Sequence, residues 1–263
     1  MNSLPSPVSE TRPGTGLAPA SRAGFRLLAA PGETAQDARH DEALLDHVAQ
    51  YGPLACVWET RQSLVVPRSY RRHEDFDAVC DRFARQGWPV TVRQTGGGIV
   101  PQGPGIVNLS LAYAVAGPPM QHSEPGYELI CDVLARALRA LGIESFAAAV
   151  HGSFCDGRYN LAVLQGGQPV KIAGTAQSWR RVPGSADQHL GLVHALLLLD
   201  VDTQAVTAHA NAFETALGTE HRYDAGKVVS AAALLGHPPG LQERFRRELE
   251  RALAEAAPPG QRS

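Results

Sequence analysis

Along this 263-residue chain, apolar residues recur at helical spacing in some stretches and run together or alternate in others. Asp37 to Gln50 places Ala43, Leu44, Leu45 and Val48 on one face and stops at Tyr51-Gly52-Pro53, which predicts a helix. Leu54 to Glu59 and Ser63 to Val66 are short apolar runs around a polar turn, and Pro89 to Arg93 alternates after Gly87; all three read as strands. Between them, Arg71 to Gln86 repeats Phe76, Val79, Cys80 and Phe83 as an amphipathic helix does. Tyr127 to Leu141, from Leu129 and Ile130 through Leu138 and Leu141 to a closing Gly142, gives the clearest helical pattern. Asn160 to Leu164 and Val170 to Ala176 flank Gln165-Gly166-Gly167-Gln168-Pro169, a hairpin signal. Leu190 to Leu199 holds six leucines and a valine in ten residues, which suits a buried helix or a buried strand equally. Thr203 to Leu217, Lys227 to Leu235 and Leu241 to Ala254 read as three closing helices. This mixture predicts a mixed α/β, α+β-like architecture rather than repeating βαβ units.

Composition sets the boundaries. Eleven of residues 1–24 are Pro, Gly or Ser, too few apolar side chains remain to offset ordering, and a disordered tail is expected there. A second flexible tail is expected from Ala256, most clearly over 258–263, leaving 25–257 as one domain without repeats or linkers. The 24 basic and 26 acidic side chains give a formal charge of -2, which lacks the basic excess that nucleic-acid binding requires. No window approaches eighteen consecutive apolar residues, and no apolar run follows a basic start. The expectation is a cytoplasmic protein with neither a membrane nor a nucleic-acid partner.

The basic residues are 22 arginines and two lysines, Lys171 and Lys227; a lysine in such a chain either marks a place that needs a compact ammonium or survives by chance, and chance is the reading for Lys227 taken alone. Cys56, Cys80 and Cys131 occupy apolar patterns and read as inert buried thiols, and no CxxC pair suggests a metal. Cys155 differs, because it sits in the polar Gly-bearing loop His151-Gly152-Ser153-Phe154-Cys155-Asp156-Gly157, where a thiol near a cation can act as a nucleophile. Lys171 stands on the far arm of the predicted hairpin, pairing near Ala162, which leaves Cys155 about 20 Å away along an extended strand. The loop must fold back for the two to meet. His151 and His194 are further candidate bases. The glycines of Arg93-Gln94-Thr95-Gly96-Gly97-Gly98, followed by Gly103 and Gly105, permit close approach of backbone to a ligand, yet match neither GxxxxGK[ST] nor GxGxxG.

Three segments together resemble the lipoate-protein ligase, octanoyltransferase and biotin-ligase superfamily: Val92 to Val100 running on to Asn108-Leu109-Ser110, Gly157-Arg158-Tyr159-Asn160-Leu161, and Val170-Lys171-Ile172-Ala173-Gly174-Thr175-Ala176-Gln177. The resemblance implies a class II synthetase and biotin-protein ligase-like catalytic domain, and it favours strand for Leu190 to Leu199. It also implies an acyl tunnel along the Gly-rich loop, with Arg93, Thr95, Gly96, Gly97 and Gly98 on the substrate. Asn160, Gly174 and Thr175 join that binding set, and Lys171 contacts the carbonyl end.

Within the superfamily, Phe154-Cys155-Asp156-Gly157 resembles the Cys-dependent octanoyl and lipoyl transferases. Pro101-Gln102 stands where ligases have a His-Asp pair, and the double arginine is reduced to Arg93. The resemblance therefore implies acyl transfer through a Cys155 thioester, assisted by Lys171 and needing no cofactor. The implied partners are an acyl carrier or acylated donor protein and a lipoyl-domain or glycine-cleavage H-type acceptor, for which Arg68 to Arg72 is a candidate surface. An ATP-dependent lipoate ligase using ATP and Mg is the first alternative, since Gly157-Arg158 and the Lys171 segment also resemble ligases. A non-catalytic acyl-chain or lipoyl-domain binder is the second.

Overall fold

The computed structural model describes residues 24–28, 40–94 and 96–259. A seven-stranded sheet dominates it, built from β1 (Arg26–Leu28), β2 (Leu54–Trp58), β6 (Ile106–Ala116), β7 (Phe146–Ala148), β8 (Asn160–Gln165), β9 (Gln168–Arg181) and β10 (Gln188–Leu198). Their order is β1-β2-β6-β10-β9-β8-β7; β1 and β2 are parallel and every other neighbour is antiparallel. A second sheet of β3 (Ser63–Pro67), β4 (Val90–Arg93) and β5 (Val100–Gln102) has the order β4-β3-β5.

One face of the large sheet buries an aliphatic core against α3 (Pro119–Ala140), α5 (Ala231–Leu235) and α6 (Leu241–Ala254), with Ile130, Leu134 and Leu138 meeting Phe245 and Leu249. The small sheet, α2 (Phe76–Arg85) and α4 (Thr203–Ala216) enclose a second core around Ile99, Ile106, Leu198 and Phe213. Helix α1 (Leu44–Tyr51) packs Leu44, Leu45 and Val48 near Trp58 and Leu192. Among the described residues, no helix is long and apolar enough to cross a membrane.

The hairpin forms as its turn chemistry dictates. Gly166 and Gly167 both have positive φ, 56° and 78°, Gln165 pairs with Gln168, and Lys171 pairs with Ala162. Leu190 to Leu199 resolves as strand β10, because side chains on both of its faces are covered by a core.

Elsewhere the structure corrects the pattern. The expected helix at Lys227 to Leu235 is a 3-10 turn at Ala225–Lys227, an extended Val228 that bridges Lys171, and only then α5. Arg71 to Gln86 is likewise split: Arg68–Arg72 is a 3-10 turn with Tyr70 buried, and α2 begins at Phe76. Helix α3 begins at Pro119 rather than Tyr127 and accommodates Pro125 inside it. Asp37 to Gln50 becomes a 3-10 turn at His40–Ala43 followed by α1, with 37–39 outside the described residues. Packing at the C-terminus extends past Ala256, which is buried in the main core, to the buried Pro258. Most of both predicted tails, residues 1–23 and 260–263, lies outside the described residues.

Candidate active site

The loop between β7 and β8 carries Cys155, and its course is fixed by burial of the preceding side chain. Phe154 is 1% exposed and belongs to the second core, on the opposite side of the sheet from the α3 layer. Ser153 is pinned through Oγ to Val150 O at 2.7 Å, and Gly152 O accepts from Asp224 N at 2.8 Å. Beyond the cysteine, Tyr159 stacks on Tyr127 with ring centroids 4.7 Å apart and donates to Glu124 at 2.6 Å. Held on both sides, the chain turns sharply at Cys155, whose φ of +50° is unusual for a side-chain-bearing residue and costs roughly 1–2 kcal/mol.

That turn brings Cys155 to the Gly-rich loop. Arg93 Nη2 lies 3.8 Å from Cys155 Sγ and also donates to Gly96 O and Gly98 O, both at 2.8 Å. A Cβ on Gly97, where φ is +100°, would stand 2.9 Å from the sulfur and 3.0 Å from Arg93 Nη2. Only glycine lets the loop, the guanidinium and the thiol converge. Gly98 is hemmed in from behind by the Tyr223 hydroxyl, 3.3 Å from the corresponding Cβ position. Gly96 has open space beside it, and Thr95 lies outside the described residues.

Lys171 meets the same turn from below. Its ammonium donates to Phe154 O at 2.7 Å and Cys155 O at 2.9 Å, and it lies 5.2 Å from the Phe154 ring centroid. The side chain is 1% exposed. Burial lowers its pKa from 10.5 to about 8; the neighbouring Cys155 and Asp156 oppose that shift and Arg93 adds to it. Gly174 makes room for the ammonium, since a Cβ there would lie 2.9 Å from Lys171 Nζ and 3.6 Å from Asn160 Oδ1. Asn160 is itself buried, and its Nδ2 has no hydrogen-bond partner among the described residues. Thr175 spends its hydroxyl on Tyr159 O at 2.5 Å, bracing the loop.

The structure thus gathers Arg93, Gly97, Gly98, Cys155, Asn160, Lys171 and Gly174 in one place. It keeps the other thiols apart: burial pushes Cys56 and Cys80 up to about 11 and Cys131 up to about 12. His151 is exposed and pairs with Asp156 at 3.6 Å. His194 lines the same cavity as Cys155, but its Nδ1 faces Asp41.

The cavity, about 110 Å³, is a slot between the two sheets. Lys171, Gly174 and Leu196 floor the Cys155 end, Val65, Val100 and Gln102 form the facing wall, and Leu192 and Ser178 lie further along. Three features here escaped the linear reading. Gln102 and Asn108 form a reciprocal amide pair at 2.9 and 3.0 Å, both buried. Asp41, Ser110 and His194 form a polar triangle. Glu214, fully buried, accepts from Tyr70, Tyr223 and Thr219 at 2.5, 2.7 and 2.6 Å behind the Gly-rich loop. Asn108 and Ser110, two apart in an otherwise apolar strand, were the available signal for the first two, because that spacing puts both on one face.

Fold and cavity together define a mixed α/β catalytic domain with a slot closed by a Gly-rich loop. The model of the lipoyl protein ligase A/B catalytic domain matches residues 34–249, and the chain belongs to that family. An uncharacterized protein of Cupriavidus necator is 49% identical over 210 residues, 78% of this chain and 83% of the relative. An octanoyl-[GcvH]:protein N-octanoyltransferase of Kyrpidia tusciae is 34% identical over 194 residues, 70% of this chain; the match spans 63% of that relative's length. Among solved structures, lipoate-protein ligase A bound with ATP superimposes with a TM-score of 0.62 at 19% identity, covering 88% of this chain and 85% of the other. The Thermoplasma acidophilum bi-partite lipoate protein ligase, solved with its E2 lipoyl domain, gives 0.61 at 21% identity, covering 89% and 84%. These structural likenesses establish the fold as that of the lipoate-protein ligases.

Proposed function

We propose that the protein moves an octanoyl or lipoyl group, through a thioester on Cys155, onto a lysine of a lipoyl-type domain. The observation that carries this reading is the convergence of Cys155 Sγ, the Arg93 guanidinium and the buried Lys171 at one end of the slot. The thiolate attacks the donor carbonyl, and the bond from acyl carbon to the donor's nitrogen or sulfur breaks. The leaving group takes a proton from the Lys171 ammonium. The acceptor lysine then attacks the thioester, Cys155 leaves as thiolate, and the proton returns to the neutral Lys171 amine. Arg93 compensates the charge on sulfur in both free states. Asn160, buried with its Oδ1 toward Gly174 and its Nδ2 unpartnered among the described residues, supplies a side-chain amide to donate to the acyl oxygen as negative charge develops on it. An extended chain in the slot gains about 0.8 kcal/mol per buried methylene.

The similar octanoyltransferase of Kyrpidia tusciae supports a donor of the octanoylated GcvH kind, an acyl-carrying protein. The acceptor is a lipoyl-domain or H-type protein, and amide-to-amide transfer between such partners needs no ATP. The fold shared with lipoate-protein ligase A bound with ATP favours a second reading, activation of free lipoate with ATP and Mg.

Intact mass of the wild-type protein and Cys155→Ala, incubated with an octanoyl-thioester donor and no ATP, separates the two. The transfer reading expects an octanoyl adduct on wild type alone. No adduct on either, with modification of a lipoyl domain only when lipoate and ATP are supplied, overturns it in favour of the ligase.

A further inference from the structure

Halfway along the slot, between Leu196 and Leu192 on β10, the lining is interrupted by His194. On β10, Leu196 lies opposite Gly174 of β9 and Asn108 of β6; His194, one rung on, lies opposite Ala176 and Ser110. Lys171 Nζ rests against Gly174, so His194 stands two residues, about 7 Å of strand, beyond the reacting end. That places it within reach of the distal half of an extended eight-carbon chain.

The His194 ring packs against Trp58, with centroids 5.7 Å apart, and its polar contacts among the described residues are all at Nδ1. Asp41, 4% exposed, accepts a hydrogen bond from the Ser110 hydroxyl at 2.8 Å and lies 3.1 Å from His194 Nδ1; Trp58 Nε1 donates to Ser110 Oγ at 3.1 Å. A carboxylate only accepts, so this contact fixes the proton on Nδ1. In the neutral ring Nε2 then carries a bare lone pair. It has no hydrogen-bond partner among the described residues, and the side chain, 22% exposed, borders the cavity. A slot made for a plain hydrocarbon has no use for an oriented acceptor there, because an alkyl chain covering it strips that nitrogen of water and gives nothing back.

Resting on the slot being an acyl site, we infer that His194 is a specificity-determining residue: its Nε2 accepts a hydrogen bond from an S–H or O–H on the distal half of the acyl chain. Asp41 and Ser110 act through it as positioning residues. The preferred chain is a reduced dithiol such as dihydrolipoyl, or a hydroxylated chain, ahead of plain octanoyl. The closed dithiolane of lipoyl has no S–H and ranks with octanoyl.

Equilibrium binding tests this on otherwise intact full-length protein carrying Cys155→Ala, which prevents turnover. The four probes are octanoic, 8-hydroxyoctanoic, lipoic and dihydrolipoic acids, the last under reductant. One net hydrogen bond predicts that dihydrolipoic or 8-hydroxyoctanoic acid binds roughly three- to tenfold tighter than octanoic acid. Whichever is tighter tells thiol from hydroxyl. His194→Leu erases the difference by gaining octanoate affinity. His194→Gln, which keeps a polar atom near Nε2, retains part of it, so a folding defect in the leucine variant leaves a second readout. Equal binding of all four chains by the Cys155→Ala protein, while the wild type transfers octanoate, overturns this inference alone, as does a preference that survives His194→Leu. Binding of none of them overturns the acyl-slot reading and the inference with it.

Discussion

Lys171 meets Cys155 at the main chain and not at the sulfur: its ammonium lies 2.9 Å from the Cys155 carbonyl oxygen. One contact therefore ties the protonation of a buried amine to the geometry of the nucleophile's turn. The sulfur instead faces Arg93 and the bare backbone of Gly97. Cation and proton carrier are separate side chains on opposite sides of one residue.

That separation has a stability signature. Burial holds Lys171 at about 8 in the folded protein against 10.5 for the free side chain. Between those values the unfolded chain binds more protons, so wild-type stability rises with pH through this window. Below it the folded state carries the whole cost of the buried charge, about 3 kcal/mol. Lys171→Met has no such group, and its loss of donors to Phe154 O and Cys155 O is independent of pH. Urea unfolding at about pH 7 and about pH 10 is expected to shift the wild-type-minus-variant difference toward wild type by about 2–3 kcal/mol. A difference that stays flat contradicts a buried titrating lysine. In the proposed cycle loading of Cys155 needs the Lys171 ammonium and discharge to an amine needs the neutral side chain, so above about pH 8 loading falls while discharge rises.

The glycine run makes a second prediction, because its members are not equivalent. Gly97→Ala places a Cβ 2.9 Å from Cys155 Sγ at a φ of +100°, whereas Gly96→Ala enters open space. The first variant loses about 1–2 kcal/mol of stability and most of its acyl transfer; the second stays within about 0.5 kcal/mol of wild type. Thermal melts with adduct formation by intact mass check both. Similar behaviour of the two variants contradicts the packing of Gly97 between sulfur and guanidinium.

Local signals made much of this legible and distance hid the rest. The hairpin was readable because two adjacent glycines demand positive φ, and that fixed the pairing of Lys171 with Ala162. Where Cys155 goes relative to that pair was not readable, since it depends on Phe154 entering a core shared with Ile99, Val206 and Phe213, far away in sequence. Strand β6 received no assignment although it is central to the sheet. Apolar on both faces, it lacks the alternation that marks a half-buried strand, and its polar Asn108 and Ser110 bond Gln102 and Asp41, partners that meet them only after folding. The 227–235 segment misled because its apolar spacing fits a helix while Val229 N is taken by Lys171 O at 2.9 Å.

The Cys155 turn yields a third prediction, in which two variants lacking the same sulfur part company. Alanine keeps the strained φ of +50°, and glycine relieves it. Cys155→Gly is expected to be more stable than Cys155→Ala by about 1 kcal/mol, a few degrees in melting temperature for a domain of this size. Neither forms an acyl adduct. Equal melting temperatures mean the turn is relaxed in solution and the positive φ is not enforced by Phe154 and the Tyr127–Tyr159 stack.

Glu214 supports the site from behind without touching the slot, and its network should respond as a unit. Tyr70 and Tyr223 both donate to Oε1 while Thr219 occupies Oε2. Burial, reinforced by that carboxyl acceptor, holds both phenols well above their ordinary range, so they remain protonated donors. Tyr70 anchors the 3-10 turn carrying Arg68, Arg71 and Arg72, and Tyr223 backs Gly98, so the carboxyl group links the arginine turn to the Gly-rich loop. Tyr223→Phe is expected to cost about 1–2 kcal/mol and to lower acyl transfer severalfold through displacement of Gly98, while the proposed Cys155 chemistry stays possible. Because the two tyrosines share one oxygen, the double variant Tyr70→Phe/Tyr223→Phe departs from the sum of the singles by at least about 0.5 kcal/mol. Denaturant unfolding of the four proteins in the cycle measures that coupling, and strict additivity rules out the shared acceptor. Glu214→Leu, which strands the buried Tyr70 hydroxyl and the half-buried hydroxyls of Tyr223 and Thr219, exceeds either single tyrosine change in cost.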